Sequence, residues 1–97
     1  MNQDIRDQYK VKAGERLRQT RQALGFRSQR EFAKITGESE ANLSNWERGV
    51  SAVPPAYVSR LKNRFGVSLD WIFHGDLSML PHSLAQELLK PQEMDDK

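Results

Sequence analysis

The chain has no cysteine, which excludes a disulfide frame and a thiolate metal site. Histidine is scarce as well, with His74 and His82 the only two. Serines are plentiful, but none has a partner base at a spacing that would make it a nucleophile. His74, Asp76 and His82 are the one group resembling a metal set. That spacing is common by chance, and the two histidines read as helix-end and loop residues. A glycine-rich phosphate cradle is missing. No apolar run approaches the roughly 18 residues of a membrane span, and the first residues show no signal-peptide hydrophobic segment. These absences argue against an enzyme, a bound cofactor or metal, and a membrane anchor. They point to the cytoplasm.

What is present is a basic body with an acidic end. Residues 1–65 hold 13 Lys and Arg against 7 Asp and Glu, whereas residues 66–97 hold 2 against 6. The overall +2 therefore conceals an asymmetry suited to a polyanion partner, with the acidic end turned away from it. At 97 residues the chain is the size of one domain with a modest core, and helices suit that size best.

The hydrophobic pattern is helical throughout, with no strand-period segment and no internal repeat. Residues 1–11 form either a polar arm or an extension of the first helix, with Ile5, Tyr9 and Ala13 four apart and Asp4 as its cap. A firmer helix spans about Lys12 to Leu24, its inward stripe made of Ala13, Leu17, Thr20, Ala23 and Leu24. Gly25 ends it, Phe26 tucks into the core, and Arg27 is exposed in the loop. Ser28 to Gly49 reads as two short helices joined by a tight turn. Ser28 and Glu31 form a capping box, Gly37 takes the left-handed turn conformation, Ser39 caps the second helix and Gly49 lies past its end.

Pro54-Pro55 then starts a helix to Phe65, burying Tyr57 or Val58, Leu61 and Phe65, with Arg60, Lys62 and Arg64 outward. Ser68 caps a short helix, Leu69 to His74, with Leu69, Ile72 and Phe73 inward and Trp71 half exposed. After a connector at 76–80, a last amphipathic piece carries Ser83, Gln86, Leu84, Leu88 and Leu89. Residues 91–97 are a polar tail. Five or six short-looped helices make the chain all-α.

The second helix of the Ser28–Gly49 unit carries the functional signal. On a wheel at roughly 100° per residue, Leu43, Trp46, Ser39 and Glu47 share one side. Ala41, Ser44, Asn45 and Arg48 share the other, flanked by Asn42, with Glu40 near the first turn. Asn and Arg are the side chains that make bidentate hydrogen bonds to adenine and guanine edges in the major groove. A capped helix presenting them on a narrow ridge suits that groove. The plainer alternative is an ordinary solvated helix face.

These residues resemble the Cro/C1-type (XRE) helix-turn-helix family. The resemblance covers about residues 13–75. It rests on Ser28-Gln29-x-Glu31-Phe32-Ala33, then Gly37, then Leu43-Ser44-x-Trp46-Glu47-Arg48-Gly49, then Pro54, and on Gly66-Val67-Ser68-Leu69-Asp70-Trp71-Ile72. It implies a five-helix, lambda-repressor-like domain at 12–75, followed at 76–97 by a short extra helix and tail that could serve dimerisation.

Carried over by position, the base-facing residues are Glu40, Ala41, Asn42, Ser44 and Asn45. The phosphate contacts are Ser28, Gln29 and Arg48, joined by the exposed Arg27. Arg48 could also reach a guanine. Glu40 could accept from cytosine or simply stabilise its helix end. Arg21 and Glu47 match a buried ion pair of some members. Two departures stand out: Thr36 and Glu38 occupy positions where apolar residues are common, and Ile35 is expected to compensate for Thr36 by a small rotation of the helix. Arg27 looks like a one-residue insertion.

The implied function is a sequence-specific regulator of transcription, a repressor bound to double-stranded DNA as a homodimer on an inverted repeat. The dimer contact would come from the Leu69–Phe73 helix or from Leu84, Leu88 and Leu89. The competing reading is an antitoxin or anti-repressor, whose C-terminal leucines hold a protein partner.

Overall fold

The structure, a computed structural model, describes residues 3–91, with side chains from residue 5 onward. Six helices follow one another: α1 Gln3–Ala23, α2 Gln29–Thr36, α3 Glu40–Glu47, α4 Pro55–Phe65, α5 Leu69–His74 and α6 His82–Leu89. No strand occurs among the described residues. The expected tail beyond Pro91 lies outside them.

The longest element, α1, is unbroken over 21 residues. It begins at Gln3, so Asp4 lies inside its first turn rather than capping it. Its stripe of Ala13, Leu17 and Thr20 is buried, with Ala23 and Leu24 packed at the rim. The helix touches α3, α5 and α6, so it is the spine on which α3 is mounted. Gly14 makes the closest approach possible: a Cβ there would stand 2.2 Å from the Trp46 carbonyl oxygen of α3. Only a residue without a side chain fits between two backbones that near.

The core gathers one side of every helix, including Phe32, Leu43, Tyr57, Val58, Leu61 and Ile72, with Val67 added from the loop between α4 and α5. Both Tyr57 and Val58 are inside, so α4 buries a broader face than one stripe requires. Phe26 returns from the loop after α1 to meet Phe32 and Phe65, at ring-centroid distances of 5.2 and 6.1 Å.

A further expectation fails here. Trp71 is buried rather than half exposed, at 8%, because its indole N–H finds the Thr20 hydroxyl at 2.7 Å. A satisfied donor removes the reason for an indole to stay near water. The last helix starts at His82 behind Pro81 and has no side-chain cap bond, so Ser83 lies inside α6. Of its leucines, Leu84 belongs to the core, Leu88 packs at the edge, and Leu89 is exposed.

Candidate nucleic-acid interface

The unit α2–turn–α3 is assembled from local signals. Ser28 Oγ accepts from Glu31 N at 3.1 Å, and Ser39 Oγ accepts from Asn42 N at 3.0 Å. Each bond satisfies a helix-start amide that would otherwise lack a partner. Gly37 closes α2 at φ 77°, and its N–H, with that of Glu38, returns to the last turn of the helix. Gly49 has φ 74°, which redirects the chain sharply after α3.

The two sides of α3 differ as the wheel divides them. Leu43, Trp46 and Glu47 are buried. Glu40, Ala41, Asn42 and Arg48 are exposed, and Ser44 and Asn45 are half-buried. No large apolar side chain lies on that outer face. Ser39 is exposed with them, since a cap at the first turn borders both sides.

Beneath the outer face, Glu47 meets Arg21 of α1. Arg21 Nε donates to Glu47 Oε2 at 2.8 Å and Nη2 donates to Oε1 at 3.1 Å. The remaining nitrogen, Nη1, donates to the carbonyls of Phe26 and Arg27 at 2.8 and 2.7 Å. Gln29 Nε2 donates to Glu47 Oε1 at 2.9 Å. The Arg21–Glu47 pair thus ties the loop bearing Arg27, the start of α2 and the end of α3 into a single block. Gln29 keeps a second amide hydrogen and its carbonyl for another partner. Ser28 and Arg27 are exposed beside it.

The turn between the helices departs from the expected compensation. Thr36 is buried, and its hydroxyl bonds the Phe32 carbonyl at 2.8 Å and the Tyr57 hydroxyl of α4 at 2.8 Å. A hydrogen bond to α4, and not Ile35, makes the polar residue tolerable there; Ile35 stays half-buried. Burial pushes the Tyr57 hydroxyl up to about 12. Glu38 projects to Arg60 of α4, with Nη2 to Oε2 at 3.1 Å, while Arg60 Nη1 donates to the carbonyls of Thr36 and Gly37 at 2.9 and 3.2 Å. Glu38 Oε1 also accepts from Asn42 Nδ2 at 3.0 Å. That bond first, then Arg60 and the Ser39 N–H, holds the Glu38 carboxyl below its ordinary range against the opposing effect of burial.

On the outer face Arg48 turns back along α3. Its Nε donates to Ser44 Oγ at 3.2 Å and its Nη2 to Asn45 Oδ1 at 2.8 Å. Tyr57 and Arg60 are therefore part of the support for this surface, although sequence reasoning assigned them only to core and solvent. The one available hint was the pair of unusual turn residues, Thr36 and Glu38, which need polar partners. His74, Asp76 and His82 form no metal-ligand group among the described residues.

A family model for the helix-turn-helix matches residues 17–72, more than half the chain, from the middle of α1 into α5. No curated protein and no solved structure matches. Among the described residues no helix is long and apolar enough to cross a membrane. With the matched segment spanning the capped pair α2–α3 and the helices that carry it, the chain belongs to the Cro/C1-type helix-turn-helix family of DNA-binding, transcription-regulator-like proteins.

Proposed function

We propose that the chain is a repressor that binds an inverted-repeat operator in double-stranded DNA as a homodimer, with α3 in the major groove. The observation that carries this reading is the outer face of α3: exposed Glu40, Ala41, Asn42 and Arg48, with Ser44 and Asn45 beside them and no bulky apolar group. Such a face has little to offer an apolar partner and much to offer base edges.

In this reading Asn42 and Asn45 read bases, Ser44 hydrogen-bonds nearby, and Ala41 touches a thymine methyl. Gln29, Ser28, Arg27 and Arg48 fix the register on phosphates, and Glu40 stabilises the start of its helix. Most of the affinity comes from cations displacing counterions, so the logarithm of the binding constant falls with the logarithm of salt by about 0.9 per phosphate neutralised.

One domain reads few base pairs. Two copies with α3 helices about 34–36 Å apart would read successive major-groove turns. Support for pairing through α5 comes from Leu69 and Phe73, which pack against the core yet stay half-buried, and from exposed Tyr9 of α1, which shares a shallow cleft with Phe73. A partner held by the C-terminal leucines would meet Leu88 and Leu89 only, since Leu84 is committed to the core.

The test is an electrophoretic shift titration in rising salt, against the preferred site and against unrelated DNA. Asn45→Ala costs about 1–3 kcal/mol on the preferred site and spares unrelated DNA, whereas Gln29→Ala weakens all sequences alike. Wild-type binding by both variants overturns the assignment of α3.

A further inference from the structure

We propose that two charged neighbours set the hydrogen-bonding polarity of the two asparagines on α3, in opposite senses. Glu38 turns Asn42 into an outward acceptor and Arg48 turns Asn45 into an outward donor, so that the face favours adenine at one base pair and guanine at the next. The inference rests on the DNA-binding reading of α3.

The two ends of an asparagine amide are nearly the same size, so a free side chain can present either one. An ionised carboxylate only accepts, and a guanidinium only donates. Asn42 Nδ2 faces Glu38 Oε1 at 3.0 Å; the flipped amide would set oxygen against oxygen. Glu38 cannot swing away cheaply. Its other oxygen is held by Arg60 Nη2 at 3.1 Å, and Arg60 is itself fixed by two carbonyls at the end of α2 and by the Tyr57 ring, 5.4 Å from the guanidinium carbon. Asn42 therefore keeps its Oδ1 and one N–H for another partner. That pair complements the N6 amino group and N7 of adenine.

Asn45 is constrained the other way. Arg48 Nη2 donates to its Oδ1 at 2.8 Å, while Ser44 Oγ holds Arg48 Nε. The amide must give its oxygen to the guanidinium, which leaves both Nδ2 hydrogens outward. Guanine offers two adjacent acceptors, N7 and O6, to such a donor; cytosine would set its own amino group against it. Three residues of helix rise about 4.5 Å, close to the spacing of neighbouring base pairs. Glu38 and Arg48 thus act as positioning residues for specificity, whatever else Arg48 contacts.

Selection from a random DNA pool by wild type, Glu38→Gln and Asn45→Asp tests this. Wild type should enrich adenine and guanine at adjacent positions in each half-site, each by about tenfold. Glutamine at 38 can donate as well as accept, so the adenine preference should fall about fivefold or more while the guanine preference stands. Aspartate at 45 keeps the bond to Arg48 but has no donor, so its preference should move from guanine to cytosine, with lower affinity throughout.

An unchanged adenine preference in Glu38→Gln, or an unchanged guanine preference in Asn45→Asp, overturns the proposal and leaves the DNA-binding reading intact. A wild-type protein that enriches no sequence overturns both. A measurement on the unaltered protein guards against a misfolded variant. The Asn42 side-chain amide hydrogens should exchange with solvent more slowly than those of exposed Asn63, and equal rates would refute the Glu38 tether.

Discussion

Replacing Glu47 with alanine isolates the buried ion pair. Its two side chains are 5% and 1% exposed, so water cannot replace the lost carboxylate. The change strips Arg21 of the partners of Nε and Nη2 and leaves only the two carbonyls on Nη1. It also removes the acceptor of the Gln29 amide. Breaking a buried pair from one side costs about 3–5 kcal/mol. The surviving carbonyl bonds put this case near the lower end, about 3 kcal/mol.

A chain of 97 residues has about 5–15 kcal/mol of stability in all, so the variant sits close to unfolding. The melting temperature should drop by about 12–24 °C, at about 4–8 °C per kcal/mol for a domain of this size. Urea unfolding followed by circular dichroism reads the free energy directly, with the midpoint falling and the slope unchanged. Arg21→Met combined with Glu47→Leu should regain at least half of the loss, because neither charge is then stranded. Loss of less than about 1 kcal/mol in Glu47→Ala, the range of an exposed ion pair, would refute the argument.

Thr36→Val should cost about 1–3 kcal/mol by stranding the buried Tyr57 hydroxyl, Tyr57→Phe less because Thr36 keeps its carbonyl partners, and the double variant less than the sum. Burial of the same hydroxyl, opposed by its bond to Thr36, has a pH signature. Tyr57 ionises at about 12 in the folded protein against an ordinary 10.0, so between those values the folded state holds more protons than the unfolded one. Stability is therefore fully present below pH 10 and declines as pH rises toward 12; urea midpoints across that range should show a slope that Tyr57→Phe lacks. Gly14→Ala drives a methyl into the Trp46 carbonyl, and backbone cannot yield as a flexible side chain can. It should cost at least about 1–3 kcal/mol and weaken DNA binding by displacing α3, an outcome refuted by a wild-type melt.

Most of the fold was legible because its punctuation is local. Ser28, Ser39 and Ser68 each accept from the backbone N–H three residues on. Glycines at 25, 37, 49, 66 and 75 all have positive φ and follow helices. These signals need no knowledge of tertiary structure. The division of α3 into Leu43, Trp46 and Glu47 inside and the polar ridge outside was legible for a similar reason, since periodicity alone separates the faces.

What escaped the sequence were pairings over long separations. Trp71 looked half exposed because nothing near it announces Thr20, 51 residues away. Thr36 looked like a packing fault because its answer is a hydroxyl on α4. Arg60 looked solvated because its carboxylate partner lies 22 residues upstream. Composition shows that such polar groups must find partners, but not which ones.

The placement of α3 follows from those long-range pairings more than from its own sequence. Eight residues are too few to make a stable isolated helix in water, and its apolar anchors are only Leu43 and Trp46. Both ends are instead held by guanidinium groups from neighbouring helices. Arg21 of α1 grips Glu47 at the C-terminal end, and Arg60 of α4 grips Glu38 just ahead of the N-terminal end. Trp46 against the Tyr57 ring, 4.8 Å between centroids, fixes the roll of the helix between these points. A helix clamped this way leaves its outer face free for a ligand, because none of Asn42, Ser44, Asn45 or Arg48 is needed to hold it down. The cost is that substitutions at Arg21, Tyr57 or Arg60, all remote from the proposed DNA surface, should alter sequence preference as well as stability.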